Sequence, residues 1–360
     1  MANLVKKILP TNNFWNRKKI FITGHTSFKG SWLKLWLEYL GSKVYGYSID
    51  YPSKPNCLYK ILNKKKLKSQ SILDFNNLRT KIASVKPEIV FHLAAQSIVS
   101  DASKKPFESY MTNIIGTASV LEACAESKST KLVVIITTDK CYDENQNIKY
   151  YTEKSSIGGS EPYSASKASS ELISKSYFLK YKSLKKKIIT LRAGNVIGGG
   201  DWKKNRLIPD IINSIHSKKT LILRNPNYIR PWIHVLDCLN GYLVSSEYAY
   251  KRKYTFNSWN IAPPLNNQIN VFDLTKKILH QFKKKNKIKI SKKKIFYESK
   301  RLNLSSLKAK RELKWNTILN QKNTISYTCD WYDKYSKKSE MKLFSINQIK
   351  KFYKLAEKKK

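Results

Sequence analysis

A tyrosine and a lysine four residues apart on a helix face the same side, and an ammonium beside a phenol stabilises the phenolate, drawing down a pKa that is ordinarily about 10. Such a pair is a usable base for hydride-transfer chemistry. The pattern alone selects nothing here, because 22 Tyr in so Lys-rich a chain predict about four chance matches. Four occur: Tyr39/Lys43, Tyr150/Lys154, Tyr163/Lys167 and Tyr181/Lys185. Position singles out Tyr163/Lys167. Tyr163 follows a proline, is separated from Lys167 by Ser164, Ala165 and Ser166, and opens a long helical stretch after an apolar strand with a polar end. That end reads Thr137-Thr138-Asp139-Lys140, at the carboxyl edge of a sheet, where open α/β folds hold their ligands. A Thr there bonds a substrate hydroxyl and an Asp acts as acid. Lys140 acts as base if burial or neighbouring cations lower its pKa from about 10.4. Read without this context, Asp139-Lys140 is a strand-end turn with a solvated ion pair.

A second cluster lies near the N-terminus. Lys18 to Gly24 read as an apolar strand running into a turn, and Ser31 to Leu40 as a helix. Between them Gly24-His25-Thr26-Ser27-Phe28-Lys29-Gly30 sits where backbone N–H groups and the helix dipole hold a pyrophosphate. A full dinucleotide fingerprint has Gly at the middle position. Ser27 stands there, so either its small side chain lets the phosphates approach or binding is weakened. Asp50, twenty residues past Gly30, ends the second strand, where a carboxylate accepts hydrogen bonds from ribose hydroxyls and repels a 2′-phosphate. NAD is thereby favoured over NADP, with Lys54 arguing the other way. Asp74 closes a third strand at Ile72 to Leu73 and would either meet the adenine amine or serve as a helix N-cap. Leu93-Ala94-Ala95 closes the fourth strand and lets a cofactor pass close to the backbone.

The elements that must carry these groups alternate. Strand Lys43 to Ile49, helix Phe75 to Val85, strand Glu88 to Leu93, helix Tyr110 to Glu126, strand Lys131 to Thr137, helix Ser164 to Tyr181 and strand Ile188 to Arg192 predict an α/β fold with a Rossmann-type doubly wound parallel sheet. The near-continuous apolar strands agree, since such a sheet is covered on both faces. After Gly194 come a glycine-rich turn, helix Leu207 to His216, strand-like Thr220 to Arg224, a helical return over Ile233 to Tyr250, and Thr255 to Ile261, which would rejoin the first sheet. Helices near Val271 to Phe282, Ser306 to Leu313 and Ile325 to Tyr335 would build a smaller interleaved domain. The expected division is a basic extension over 1–17, a dinucleotide-binding domain over 18–194 plus about 233–262, a substrate domain over 195–232 plus about 263–338, and a Lys-rich helix or tail over 339–360.

Composition narrows the function classes. Lys+Arg number 69 against 25 Asp+Glu, a formal charge of +44, which raises a nucleic-acid or anionic-membrane partner. Nine of the 69 are Arg, whereas base and phosphate forks draw on Arg. The excess is spread along the chain as a general drift toward Lys, and no nucleic-acid role is expected. Five cysteines (Cys57, Cys124, Cys141, Cys238, Cys329) form no CxxC pair, and five histidines have no ligand spacing. A reducing compartment and no metal follow. No apolar run approaches the roughly 18 residues of a membrane span, so a cytosolic protein is expected.

The segments TGHTSFKG, VFHLAAQ, TTDKCY, GGSEPYSASK, LRAGNVIGGGDW, RLIPDI and RPWIHVLD together resemble extended short-chain dehydrogenase/reductases and, within them, the CDP-glucose 4,6-dehydratase family. The likeness runs from about Phe14 to Tyr335. It departs at Ser27, and at Lys314 and Thr317, where the family tends to read Gly-Trp-x-Pro around Trp315. The resemblance implies NAD used in an internal redox cycle on a CDP-sugar. Tyr163 would take the proton of the 4-hydroxyl with Thr138 holding that hydroxyl, Lys167 would hold the nicotinamide ribose, Lys140 would help remove H5, and Asp139 would protonate the departing 6-hydroxyl. It also implies substrate anchoring by Asn195, Arg206, Leu207 and Arg230, and a homo-oligomer, dimer or tetramer. The rival readings are a nucleotide-sugar 4-epimerase of the same fold, which needs no eliminating pair, a basic nucleic-acid-binding protein, and a cofactor-binding regulator without turnover.

Overall fold

The computed structural model describes residues 9–49, 58–63, 68–144, 149–265, 268–291 and 302–359. Six strands form one sheet: β1 (Lys19–Thr23), β2 (Lys43–Tyr47), β3 (Ile89–His92), β4 (Leu132–Thr138), β5 (Lys187–Ala193) and β6 (Phe256–Ile261). Their order is β2-β1-β3-β4-β5-β6 and every neighbouring pair is parallel. Alternation along each strand sends side chains to two cores. Ile20 and Ile22 of β1 join the Trp32, Trp36 and Leu239 side, whereas Phe21 joins the Leu78, Ile82 and Val120 side. Accordingly α1 (Phe28–Tyr39) and α6 (Val235–Tyr250) cover one face, and α2 (Phe75–Val85), α3 (Gly116–Glu126) and α4 (Pro162–Lys180) cover the other. From β1 the chain moves outward to β2 and then returns to β3 on the opposite side of β1. This reversal opens the crevice at the carboxyl ends of β1 and β3.

Four longer helices lie outside these two layers: α5 (Leu207–Ser217), α7 (Val271–Gln281), α8 (Gln321–Ser336) and α9 (Met341–Glu357). The Lys-rich C-terminal stretch is folded onto α1. Phe352 meets Trp36 edge-on at 5.6 Å, and the Trp36 indole N–H donates to the Tyr353 hydroxyl at 3.2 Å. Along α9, Ile349 and Phe352 are buried while Leu343 is exposed. Among the described residues no helix is long and apolar enough to cross a membrane.

The structure corrects the sequence reading in two places. Ile72-Leu73 is a turn, not a third strand. The backbone there reaches the sheet edge through the Gln70 N–H donating to the Ser48 carbonyl at 2.8 Å, and then turns away into α2. The helix expected from Tyr110 begins earlier, at Pro106, after a helical turn at Val99–Lys104 that the apolar pattern did not reveal. It passes through a π turn at Met111–Ile115 before α3. Such insertions redirect side chains. Here Asn113 bonds the Gln96 carbonyl at 3.0 Å and Ser166 on α4 at 2.8 Å.

Candidate active site

The turn between β1 and α1 is shaped by close approach. Gly24 has φ +72°, and a Cβ on it would sit 2.6 Å from the Ala94 nitrogen. A Cβ on Gly30 would collide with the Gly24 carbonyl. Both positions therefore demand glycine. Ser27 is the N-cap of α1, its hydroxyl accepting from the Gly30 N–H at 3.1 Å. One donor that a phosphate would otherwise meet is already satisfied, while the remaining first-turn N–H groups and the positive helix end are free of acidic side chains. That arrangement fits the diphosphate of NAD.

Not every residue of the turn faces the cleft. Ser27, Phe28 and Lys29 line it. The His25 ring is buried instead beneath β2, 2.9 Å from the Ser48 hydroxyl, in space that Gly46 leaves open. Burial draws its pKa down to about 4, so it sits there neutral. The Lys29 ammonium donates to the Tyr242 hydroxyl at 3.3 Å, and burial lowers its pKa. Leu93 and Ala95 line the cleft, whereas Ala94 backs Gly24. Asp74 is exposed and caps α2, accepting from the Asn77 N–H at 3.1 Å. Asp50 lies outside the described residues.

The candidate reactive residues converge from two elements. Glu161 starts α4, its carboxylate accepting from the N–H groups of Tyr163 and Ser164 at 2.8 Å each, with Pro162 in the first helical turn. The cap holds Tyr163 at the mouth of the helix and puts Lys167 one turn deeper. Lys167 donates to the Ile136 carbonyl at 3.1 Å. Burial, reinforced by the positive charge of Lys29, draws its pKa down to about 8. Strand β4 supplies the opposing groups. The Thr138 hydroxyl donates to Asp139 Oδ1 at 2.9 Å and lies beside the Tyr163 phenol. Burial raises the Tyr163 pKa and that contact partly offsets it. Burial also raises the Asp139 carboxyl. Its second oxygen, Oδ2, is buried with no hydrogen-bond partner among the described residues, and a Cβ on Gly194 would lie 3.3 Å from it. Lys140 follows in a short 3-10 turn and lines the same cleft.

The cleft has a volume of about 1090 Å³ and continues past Asn195, Arg206, Leu207 and Arg230, all of which line it. Arg206 is held by Asp201 at 3.0 Å and Ser97 at 3.1 Å, bridging the two sides of the mouth. Arg230 is buried, its guanidinium 5.1 Å from the Tyr228 ring. Sequence reasoning missed Ser97, Asp201, Arg224, Asn225 and Tyr228, which also line the cleft. They sit in loops without periodicity, and only the run of polar residues around Asn225 hinted at them. Among the described residues no group of His, Cys, Asp or Glu is arranged to hold a metal ion.

Comparison with known proteins agrees with this geometry. The model of the NAD dependent epimerase/dehydratase family matches residues 20–262. A CDP-glucose 4,6-dehydratase of Salmonella typhimurium is 38% identical over 347 residues, 94% of this chain and 96% of that protein. A UDP-glucose 4-epimerase of Mycoplasma genitalium is 24% identical, covering 89% of this chain and 97% of that protein. The solved structure of a dTDP-glucose 4,6-dehydratase from Streptomyces venezuelae with NAD bound has a TM-score of 0.76, covering 90% of this chain and 99% of that one. At 21% identity it speaks for the fold. A family match across two thirds of the sequence, around a cleft of this construction, establishes that the chain belongs to the NAD dependent epimerase/dehydratase family.

Proposed function

We propose that the chain is a hydro-lyase that converts CDP-glucose to CDP-4-keto-6-deoxyglucose. The observation that carries this reading is the Asp139 carboxyl, buried beside Thr138 and Tyr163, its pKa raised by that burial and its second oxygen without a hydrogen-bond partner among the described residues. A simple epimerase has no use for a proton donor there. NAD, when bound at the β1–α1 turn, supplies the hydride acceptor for C4 and donor for C6.

The protein's own groups do the rest. Tyr163 takes the proton of the sugar 4-hydroxyl while Thr138 holds that hydroxyl, and the Lys167 ammonium stabilises the phenolate and holds the nicotinamide ribose. Oxidation at C4 acidifies H5. Lys140 removes H5 as a proton and Asp139 protonates the 6-hydroxyl, which departs as water; Lys140, in exchange with solvent, then returns a proton to C5 as C6 is reduced. Asn195, Arg206 and Arg230 hold the nucleotide and its diphosphate, guanidinium forks being suited to paired phosphate oxygens, and Leu207 closes the apolar side.

On this reading residues 18–194 plus about 233–262 bind the dinucleotide and 195–232 plus about 263–338 bind the nucleotide sugar, with 1–17 and 339–360 as appendages. The protein acts in the cytoplasm as a homo-oligomer. The exposed side chains of Phe107, Leu172 and Leu179, on neighbouring helices, support a second copy as partner. The test is incubation with NAD and a panel of CDP-, dTDP-, UDP- and GDP-hexoses, read by mass spectrometry. Loss of water from CDP-glucose is expected. An isomer of unchanged mass would mean epimerisation instead.

A further inference from the structure

Behind the cleft lies a buried ion pair that the reaction does not touch. Arg192 on β5 grips Glu171 on α4 in a fork, Nε to Oε1 at 2.9 Å and Nη2 to Oε2 at 2.8 Å, and both side chains are buried. The Thr190 hydroxyl donates to the same carboxylate at 2.6 Å. Such a pair, fully bonded, is rigid, and its geometry is fixed by the fork.

Two further bonds run from this pair to the strand end. The Thr137 hydroxyl donates to Glu171 Oε1, and Arg192 Nη1 donates to the Tyr142 hydroxyl at 2.9 Å. Tyr142 in turn donates to Asn260 Oδ1 at 2.6 Å, and Asn260 is anchored to the Tyr151 and Ser305 carbonyls at 3.3 and 3.2 Å. Thr137 immediately precedes the segment Thr138-Asp139-Lys140-Cys141, and Tyr142 immediately follows it. The segment is therefore tied at both ends to one ion pair. Glu171 also lies one turn beyond Lys167 and two beyond Tyr163 on α4. The same carboxylate thus refers the strand-end groups to the helix-borne groups.

We infer that Thr137, Glu171, Arg192 and Tyr142 are positioning residues that set the placement of Asp139 and Lys140 relative to Tyr163 and Lys167, and so couple elimination to C4 oxidation. The inference rests on the dehydratase reading for its kinetic consequence, while its structural consequence is independent of substrate. Loosening one end of the segment leaves Tyr163 and Lys167 fixed on α4 and displaces the eliminating pair.

The test uses the full chain with Thr137→Val and Tyr142→Phe, which remove one hydroxyl each and keep the ion pair, and Thr137→Ser as the conservative control. A displacement near 1 Å costs about a hundredfold in rate. Thr137→Val is therefore expected to slow water loss by about a hundredfold with KM within about twofold. Reduced nicotinamide should accumulate on the enzyme, because oxidation is affected less. Tyr142→Phe should behave in the same direction, and Thr137→Ser should restore the wild-type partition. Amide hydrogen exchange across 138–142 is expected to quicken in both loosened variants while that of α4 does not. Equal slowing of both steps, or a Thr137→Ser as slow as Thr137→Val, would overturn the inference. Unchanged exchange across 138–142 would overturn it whatever the substrate proves to be, and if Thr137→Val does not fold, Tyr142→Phe decides. A wild-type chain that leaves CDP-glucose intact would count against the dehydratase reading, not against the positioning.

Discussion

Lys167 is the residue of the proposed catalytic set whose burial has the clearest thermodynamic signature. Its ammonium sits inside the fold with the Ile136 carbonyl as acceptor and the positive charge of Lys29 nearby. The fall from 10.5 to about 8 corresponds to roughly 3 kcal/mol of unfavourable charge burial at neutral pH. Lys167→Met removes that cost and forfeits a charged hydrogen bond worth about 1.5 kcal/mol. The variant, measured without cofactor at pH 7, should therefore be more stable by about 2 kcal/mol, a rise of about 3 °C in melting temperature for a chain of this length. Turnover should be lost. The sign with pH follows from proton counting. Between about 8 and 10.5 the folded chain has released a proton that the unfolded chain still holds, so wild-type stability rises with pH across that window. The advantage of Lys167→Met should shrink in parallel, vanish part-way through the window and reverse before its upper end. Calorimetric melting of both proteins from neutral to alkaline pH is the assay. A lower melting point for the variant at pH 7, or an advantage that does not shrink, would refute the claim that this ammonium is held at a cost for function.

Three other outcomes are expected. Tyr163→Phe should reduce turnover by at least about a hundredfold with melting temperature unchanged within a degree or so, and near-normal rates would remove the proposed base. Asp139→Asn and Lys140→Gln should slow elimination more than C4 oxidation, so that absorbance of enzyme-bound reduced nicotinamide builds up in the steady state; its absence would give the pair another job. Lys218 and Lys314 end α5 and a short helix with φ of 55° and 57°, a conformation in which glycine avoids a Cβ clash. Lys218→Gly and Lys314→Gly should each stabilise the fold by about 0.5–1 kcal/mol, measurable by urea unfolding, and destabilisation would contradict the cap geometry.

How much of this could be read beforehand differs from residue to residue. Tyr163 and Lys167 were legible because Pro162 precedes a long helical stretch and the strand before it is apolar to its polar end, whereas the four-residue spacing alone recurs by chance. The sheet was legible because its strands are apolar throughout. Ile72-Leu73 misled because two apolar residues before a capping Asp read equally as a strand end or as a turn, and tertiary contact chose the turn. His25 stands in the right turn, but its ring is directed beneath β2 by the room that Gly46 provides, which no spacing rule reveals. The Glu171–Arg192 pair was visible in principle. An arginine within the buried strand Lys187–Ala193 requires a buried acid, and Glu171 lies one turn past Lys167. Which acid answers it depends on the packing of α4 against β5, and that is tertiary information.

The central claim is that Tyr163 and the Asp139–Lys140 pair act on adjacent carbons of one hexose. Its most direct measurement is the reaction of CDP-glucose with NAD in heavy water, with the product analysed by mass spectrometry and NMR. The account predicts a sugar that has lost one water and carries solvent deuterium at C5. A product lacking that label, or one that keeps all its oxygen, would contradict it.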